Sequence, residues 1–173
     1  MQSLFLDEVN LAGGPGLAVS RCVIPMRSDF DIVVRSKESN EIRLICEAKM
    51  YSEQVETGEA RLKQAMARLS CPLGLLFTPN ILRVYADRYT SDNPLDSVEL
   101  IGEFDSRPLL PSSLASGTRN VEEFESAVQK WLERLPQDFS STTITDDRLR
   151  SILGTFVVPA VASGQVSAAA PRC

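Results

Sequence analysis

Apolar and polar positions change period several times along this chain, and each change marks an element. Residues 30–36 (FDIVVRS) are apolar and β-branched and predict a strand. Lys37–Asn40 is polar and turn-like, and residues 41–49 (EIRLICEAK) predict a second strand, so the short connection makes a hairpin. From Glu53 to Leu69 the spacing becomes helical: Ala60, Leu62, Ala65, Met66 and Leu69 form an apolar stripe, with Arg61, Lys63, Gln64 and Arg68 mostly off it. Cys71-Pro72 ends that helix. Residues 73–78 (LGLLFT) are a continuous apolar run, as in a strand buried on both faces. Pro79-Asn80 turns the chain, residues 81–87 (ILRVYAD) alternate as a further strand, and Val98–Phe104 reads as the last one.

The flanking segments follow the same logic. Residues 2–11 predict a short helix, carried by Leu4, Val9 and Leu11 and stopped by Gly13-Gly14-Pro15-Gly16. Residues 17–25 read as a strand ending at Pro25. Residues 105–119 are a Pro- and Ser-rich connector. Asn120 with Glu123 marks a helix start. Val121, Phe124, Val128, Trp131, Leu132 and Leu135 then repeat at helical spacing until Pro136 closes the helix. Residues 146–154 predict one short helix. The expectation is an α/β fold, one mixed central sheet flanked by helices. A single domain would cover residues 1–155, with its core at 17–104 and a C-terminal helix at 120–135. Residues 156–173, small and Ala-rich toward the end, would form a poorly ordered tail.

Composition narrows the chemistry. A chain of 173 residues with 43% hydrophobic and 24% charged positions can bury a full core without disulfides or a structural metal. A net charge of −5 speaks against a static, purely electrostatic DNA binder, and less against a nuclease, whose site is itself acidic. There is no histidine, and Cys22, Cys46, Cys71 and Cys173 form no C-x-x-C pair. Zinc sites of Cys and His are thereby disfavoured, and Ser-His or Cys-His nucleophilic pairs are excluded. The first three cysteines sit beside apolar residues and read as buried free thiols of a reducing cytoplasm. The opening MQSLFLDEVN lacks a basic n-region, and no apolar run nears the ~20 residues of a membrane helix. A cytoplasmic protein with no membrane association is expected. The glycine cluster lacks the Lys-Ser/Thr of a phosphate loop. Phe124 and Trp131 lie on an apolar stripe and read as core.

Strand alternation then brings chemistry together. On the second strand Arg43, Ile45, Glu47 and Lys49 share one face, and Leu44, Cys46 and Ala48 the other. A hairpin turning near residues 38–39 brings Asp31 to the neighbourhood of Glu47. Two carboxylates would converge with one ammonium beside them, which is costly to bury without compensation. A divalent cation would compensate, and oxygen ligands suit Mg²⁺ or Mn²⁺. The same side chains could instead form an ion-pair trio at a strand end.

Asp31-Ile-Val-Val followed by Glu47-Ala-Lys49 resembles the PD-(D/E)xK nuclease superfamily, which includes type II restriction enzymes, nuclease domains of type I restriction subunits, Mrr-like enzymes and Holliday-junction resolvases. The resemblance covers roughly residues 17–87, and LGLLFTPNILRVY is similar to the strand–turn–strand of type I nuclease domains. It implies a restriction-endonuclease-like core and a metal-dependent deoxyribonuclease active in restriction, defence or repair. An inactive DNA-binding or assembly module of the same fold is the alternative. It implies Asp31, Glu47 and the Ala48 carbonyl as ligands of Mg²⁺ or Mn²⁺, Lys49 as the group that orients the attacking water and stabilises the phosphate, and Gln64 as a polar partner of the site. Arg61, Lys63 and Arg68 would form a basic rim for DNA, and Glu8 would match an acid on the family's first helix. The proline of the family's first motif is missing, since Ser28-Asp29-Phe30-Asp31 stands there, so Asp29 competes with Asp31 for the first acid. DNA, a second copy of the chain, and a helicase or methyltransferase are the partners implied.

Overall fold

The computed structural model describes residues 30–115, 120–140 and 144–169. The first helix and first strand expected from the sequence, together with Glu8, Cys22, Asp29 and Cys173, lie outside these residues. Strand β1 (Ile32–Ser36) and strand β2 (Ile42–Ala48) form the expected hairpin. Its turn is held by Ser36, whose Oγ accepts from the amides of Glu38 and Ser39, each at 3.3 Å. Asn40 closes it at φ 60°, a left-handed conformation that Asn tolerates better than most residues. Helix α1 (Val55–Leu69) carries the chain back across the sheet, which a parallel partner for β2 requires. The helix stops at Ser70, which is left-handed at φ 50°, and the Cys71 amide donates to the Met66 carbonyl at 2.9 Å.

Strand β3 (Leu73–Phe77) is buried along its whole length, and β4 (Ile81–Asp87) and β5 (Val98–Asp105) complete a meander. A one-turn helix α2 (Ser112–Ala115) precedes α3 (Val121–Asp138), whose Glu122 amide is capped by the Asn120 side chain. Helix α4 (Asp147–Ile152), a π-type stretch at Leu153–Val157 and α5 (Val158–Ala162) run on without a break. Strand β6 (Gly164–Ala168) ends the described chain. The sheet order is β5-β4-β3-β2-β1-β6, with only β2 and β3 parallel. This is the α/β architecture with a mixed sheet flanked by helices.

Each face of the sheet buries its own core. Val33, Ile45, Leu76 and Tyr85 pack under Leu62, Ala65 and Met66 of α1. Val34, Leu44, Cys46, Leu75, Phe77 and Val84 pack against Phe124, Val128 and Leu132 of α3 and Leu153 and Val157 beyond α4. Among the described residues no helix is long and apolar enough to cross a membrane.

Two expectations are corrected. Pro136 does not close α3, which continues to Asp138; the Phe139 amide donates to the Leu135 carbonyl at 2.9 Å, so the ladder resumes beyond the ring. Residues 156–169 are not a loose tail. They finish a helical run and then pair antiparallel with β1 over five residues, from Ile32–Ala168 to Ser36–Gly164. The physical reason is that β1 would otherwise leave one row of backbone donors and acceptors without a strand partner.

Candidate active site

The hairpin brings Asp31 and Glu47 close together. Ile32 pairs with Cys46, and the amide of Asp31, just before β1, donates to the Cys46 carbonyl at 2.9 Å, one residue from Glu47. Both side chains point to the α1 face, as Val33 and Ile45 do. The Ala48 amide donates to Asp31 Oδ2 at 2.8 Å and fixes that carboxylate. Lys49 follows β2, its amide donating to the Phe77 carbonyl at 2.7 Å, and its side chain turns back along the same face. The ammonium lies 2.5 Å from Glu47 Oε1 and 3.4 Å from Asp31 Oδ2. Side-chain exposure is 3% for Asp31, 0% for Glu47 and 11% for Lys49, so the trio sits below the surface.

Gly58 of α1 makes this recess possible. A Cβ there would lie 3.1 Å from Leu76 Cδ1 and 3.2 Å from Lys49 Cγ, so the helix presses directly on the lysine stem. A cleft of about 380 Å³ opens at this end of the sheet. It is lined by Ala48, Lys49 and Met50 at the end of β2 and after it, by Glu53 and Gln54 just before α1, by Thr57 and Arg61 of α1 and by Val121 and Glu125 of α3; of the trio, only Lys49 lines it. A larger cavity of about 720 Å³ runs along α3 beside Leu109 and Trp131 and shares no residue with this cleft.

The other sequence candidates are distributed unevenly. Arg61 is exposed and lines the cleft. Gln64 is exposed on α1 and does not line it; Gly58 marks the turn that faces Lys49, and Gln64 lies well over one turn beyond. Lys63 pairs with Glu59 at 2.8 Å and its ammonium lies 5.4 Å from the Tyr85 ring centroid. Glu59 also receives Arg83 at 2.8 Å, and Arg83 reaches Glu103 at 2.6 Å. Lys63 thus belongs to an ion network over β4 and β5, away from the carboxylates. Arg68 is exposed near the end of α1 and lines no part of the cleft. Gln54, Thr57 and Glu125 were not singled out by the sequence. The first two share a polar stripe with Arg61 at helical spacing, which was readable; Glu125 depends on how α3 docks, which was not.

The donor set bears on a metal directly. Among the described residues no three His, Cys, Asp or Glu side chains converge. The oxygen donors here are therefore the Asp31 and Glu47 carboxylates and nearby carbonyls such as that of Ala48. Mg²⁺ fits such a sparse set because it keeps several waters and shares its coordination with phosphate. Cys46 lies one residue before Glu47 on the opposite face; burial, then the Asp31 and Glu47 charges, push its thiol well above the usual range. It is no nucleophile near neutral pH. Comparison with family models, with curated proteins and with solved structures returned no match.

Proposed function

We propose that this chain is a metal-dependent nuclease of the PD-(D/E)xK type, with a restriction-endonuclease-like core, that hydrolyses DNA phosphodiester bonds. The observation that carries the reading is the convergence of the buried Asp31 and Glu47 carboxylates on the Lys49 ammonium, beside a cleft that Lys49 lines. Asp31, Glu47 and the Ala48 carbonyl are the groups that would hold Mg²⁺ or Mn²⁺. When bound, the cation supplies charge stabilisation at the phosphate and a more acidic water. Lys49 contributes a fixed positive charge where negative charge develops on the phosphate, in a recess where such an interaction is stronger than in water. The Ala48 amide and the pressure of α1 at Gly58 hold Asp31 and Lys49 in place, so little reorganisation is needed.

Purified protein incubated with both duplex and single-stranded DNA in Mn²⁺ or Mg²⁺ tests this. Asp31→Ala, Glu47→Ala and Lys49→Ala are each expected to lower cleavage about 100-fold or more. Cleavage that survives all three substitutions overturns the reading. The close Lys49–Glu47 contact favours a second one, in which the trio is a self-contained ion cluster in a non-cleaving DNA-binding or assembly module. Calorimetry separates the two: the nuclease binds Mn²⁺ and loses it with Glu47→Ala, and the module binds none.

A further inference from the structure

We infer that the outer edge of β6 is a docking surface for a second copy of this chain, which adds its own β6 antiparallel and joins the two sheets into one. Strand β6 lies at one end of the sheet, and among the described residues no strand pairs with its outer side. Two contacts fix its backbone phase. The Ala169 amide donates to the Asp31 carbonyl at 2.8 Å, and the Ser163 carbonyl accepts from the Lys37 amide at 3.3 Å. Backbone groups alternate sides along a strand, so Ser163, Gln165, Ser167 and Ala169 face β1. The amides of Val166 and Ala168 and the carbonyls of Gly164, Val166 and Ala168 therefore face outward. Such a row is a template for another strand.

The two ends of the sheet are built differently. At the opposite edge β5 carries Glu99, Glu103 and Asp105, and its register with β4 breaks between Leu100 and Gly102. Charges and bulges of this kind keep a foreign strand off. β6 has neither: Gly-Gln-Val-Ser-Ala is uncharged, holds no proline and pairs with β1 in one unbroken register. The same five residues select the partner, because they are self-complementary. Turned about a twofold axis at Val166, β6 lays Val166 against Val166, Gln165 against Ser167 and Gly164 against Ala168. Val166 faces outward with both backbone groups, so the central pair is a hydrogen-bonded one, as is each Gly164–Ala168 pair. Gln165 and Ser167 meet in the pair where side chains approach closest, and no like charges meet anywhere. Val166 is half-buried, and it is the apolar group that the second copy covers. Pairing of one surface with itself is how most identical chains close a dimer. The axis stands normal to the sheet, so the two Asp31–Glu47–Lys49 trios lie on the same side of the joined sheet. Five residues a side make a small contact, and the dimer is expected to be weak and concentration-dependent.

Sedimentation velocity of the full chain at rising concentration reads the association, and amide hydrogen exchange at low and high concentration reads the edge. A reversible dimer is expected, with the Val166 and Ala168 amides gaining protection as it forms. Ala168→Pro removes an outward donor at an exposed position and leaves the ladder to β1 whole. It deletes one intermolecular hydrogen bond from each copy and is expected to weaken association about tenfold. Gln165→Lys, also at an exposed position, places a charge on the edge and is expected to weaken association as well. Circular dichroism checks the folding of both, and the lysine variant carries the test if the proline variant does not fold. A chain that stays monomeric up to its solubility limit overturns the inference. So does a dimer that both folded variants leave unchanged, since its contact then lies elsewhere. A monomer whose Val166 and Ala168 amides are already protected also overturns it, in favour of another segment of the same chain, residues 17–25 included, on this edge.

Discussion

Lys49 reaches two carboxylates because of three local facts, and each was visible to a different degree. Its spacing from Glu47 was legible, since two residues apart on a strand means one face. The partnership with Asp31 followed from the hairpin length, and the observed register agrees. The role of Gly58 was not legible, because nothing in a helical run tells which turn will lie over a lysine two elements away. That gap is also why Gln64 was named from the sequence while Gln54 and Thr57, which line the cleft, were not. The cysteines illustrate a residue-scale consequence of burial. Burial pushes the Cys71 thiol up to about 11, and Cys46 is raised as well. A group whose pKa is raised on folding adds stability below its unfolded value, and that stability is lost as pH rises through the folded value. Chemical denaturation is therefore expected to show stability falling from pH ~8.5 upward, by at most about 1.4 kcal/mol per pH unit per thiol. Cys71→Ala should flatten the fall between there and pH 11; an unchanged slope would contradict it.

At the scale of elements, the strands with β-branched or continuous apolar runs declared themselves, and β6 did not. Gly-Gln-Val-Ser-Ala is small, weakly alternating and uncharged, so its pairing with β1 comes from tertiary context rather than from its own pattern. Proline at 136 misled for a related reason: buried Leu135 before the ring and half-buried Phe139 after it pack against the core, and packing overrides the local break. The fit of β6 is tight at one point. A Cβ at Gly164 would collide with Val34 Cγ1 and lie 2.8 Å from the Ala160 carbonyl oxygen. Gly164→Val is expected to cost about 1–3 kcal/mol in urea unfolding, as overpacking does. Ser167→Val, on a half-buried position of the same strand, should be nearly neutral. Equal effects from the two would show that β6 does not dock as described.

For the whole molecule, the decisive feature is that one sheet serves two cores. Neither α1 nor the α3–α5 layer has a separate support, since both rest on β1 to β4. Unfolding is therefore expected to be a single transition. The lone tryptophan gives a check: Trp131 of α3 meets Phe77 of β3 edge-on, with ring centroids 5.1 Å apart, so its fluorescence reports one core only. Its denaturation curve should coincide with far-ultraviolet circular dichroism, which reports the whole; separated midpoints would mean the layers melt independently. The pairing of β6 with β1 has a consequence in time. Synthesis runs from the N-terminus, so of the six described strands β6, one of the two neighbours of β1, is made last. Only then does the Ala169 amide reach the Asp31 carbonyl, at 2.8 Å, and β1 become an interior strand. On the proposed reading, the backbone around the first acid gains its last described strand contact only once residues 164–169 have been made.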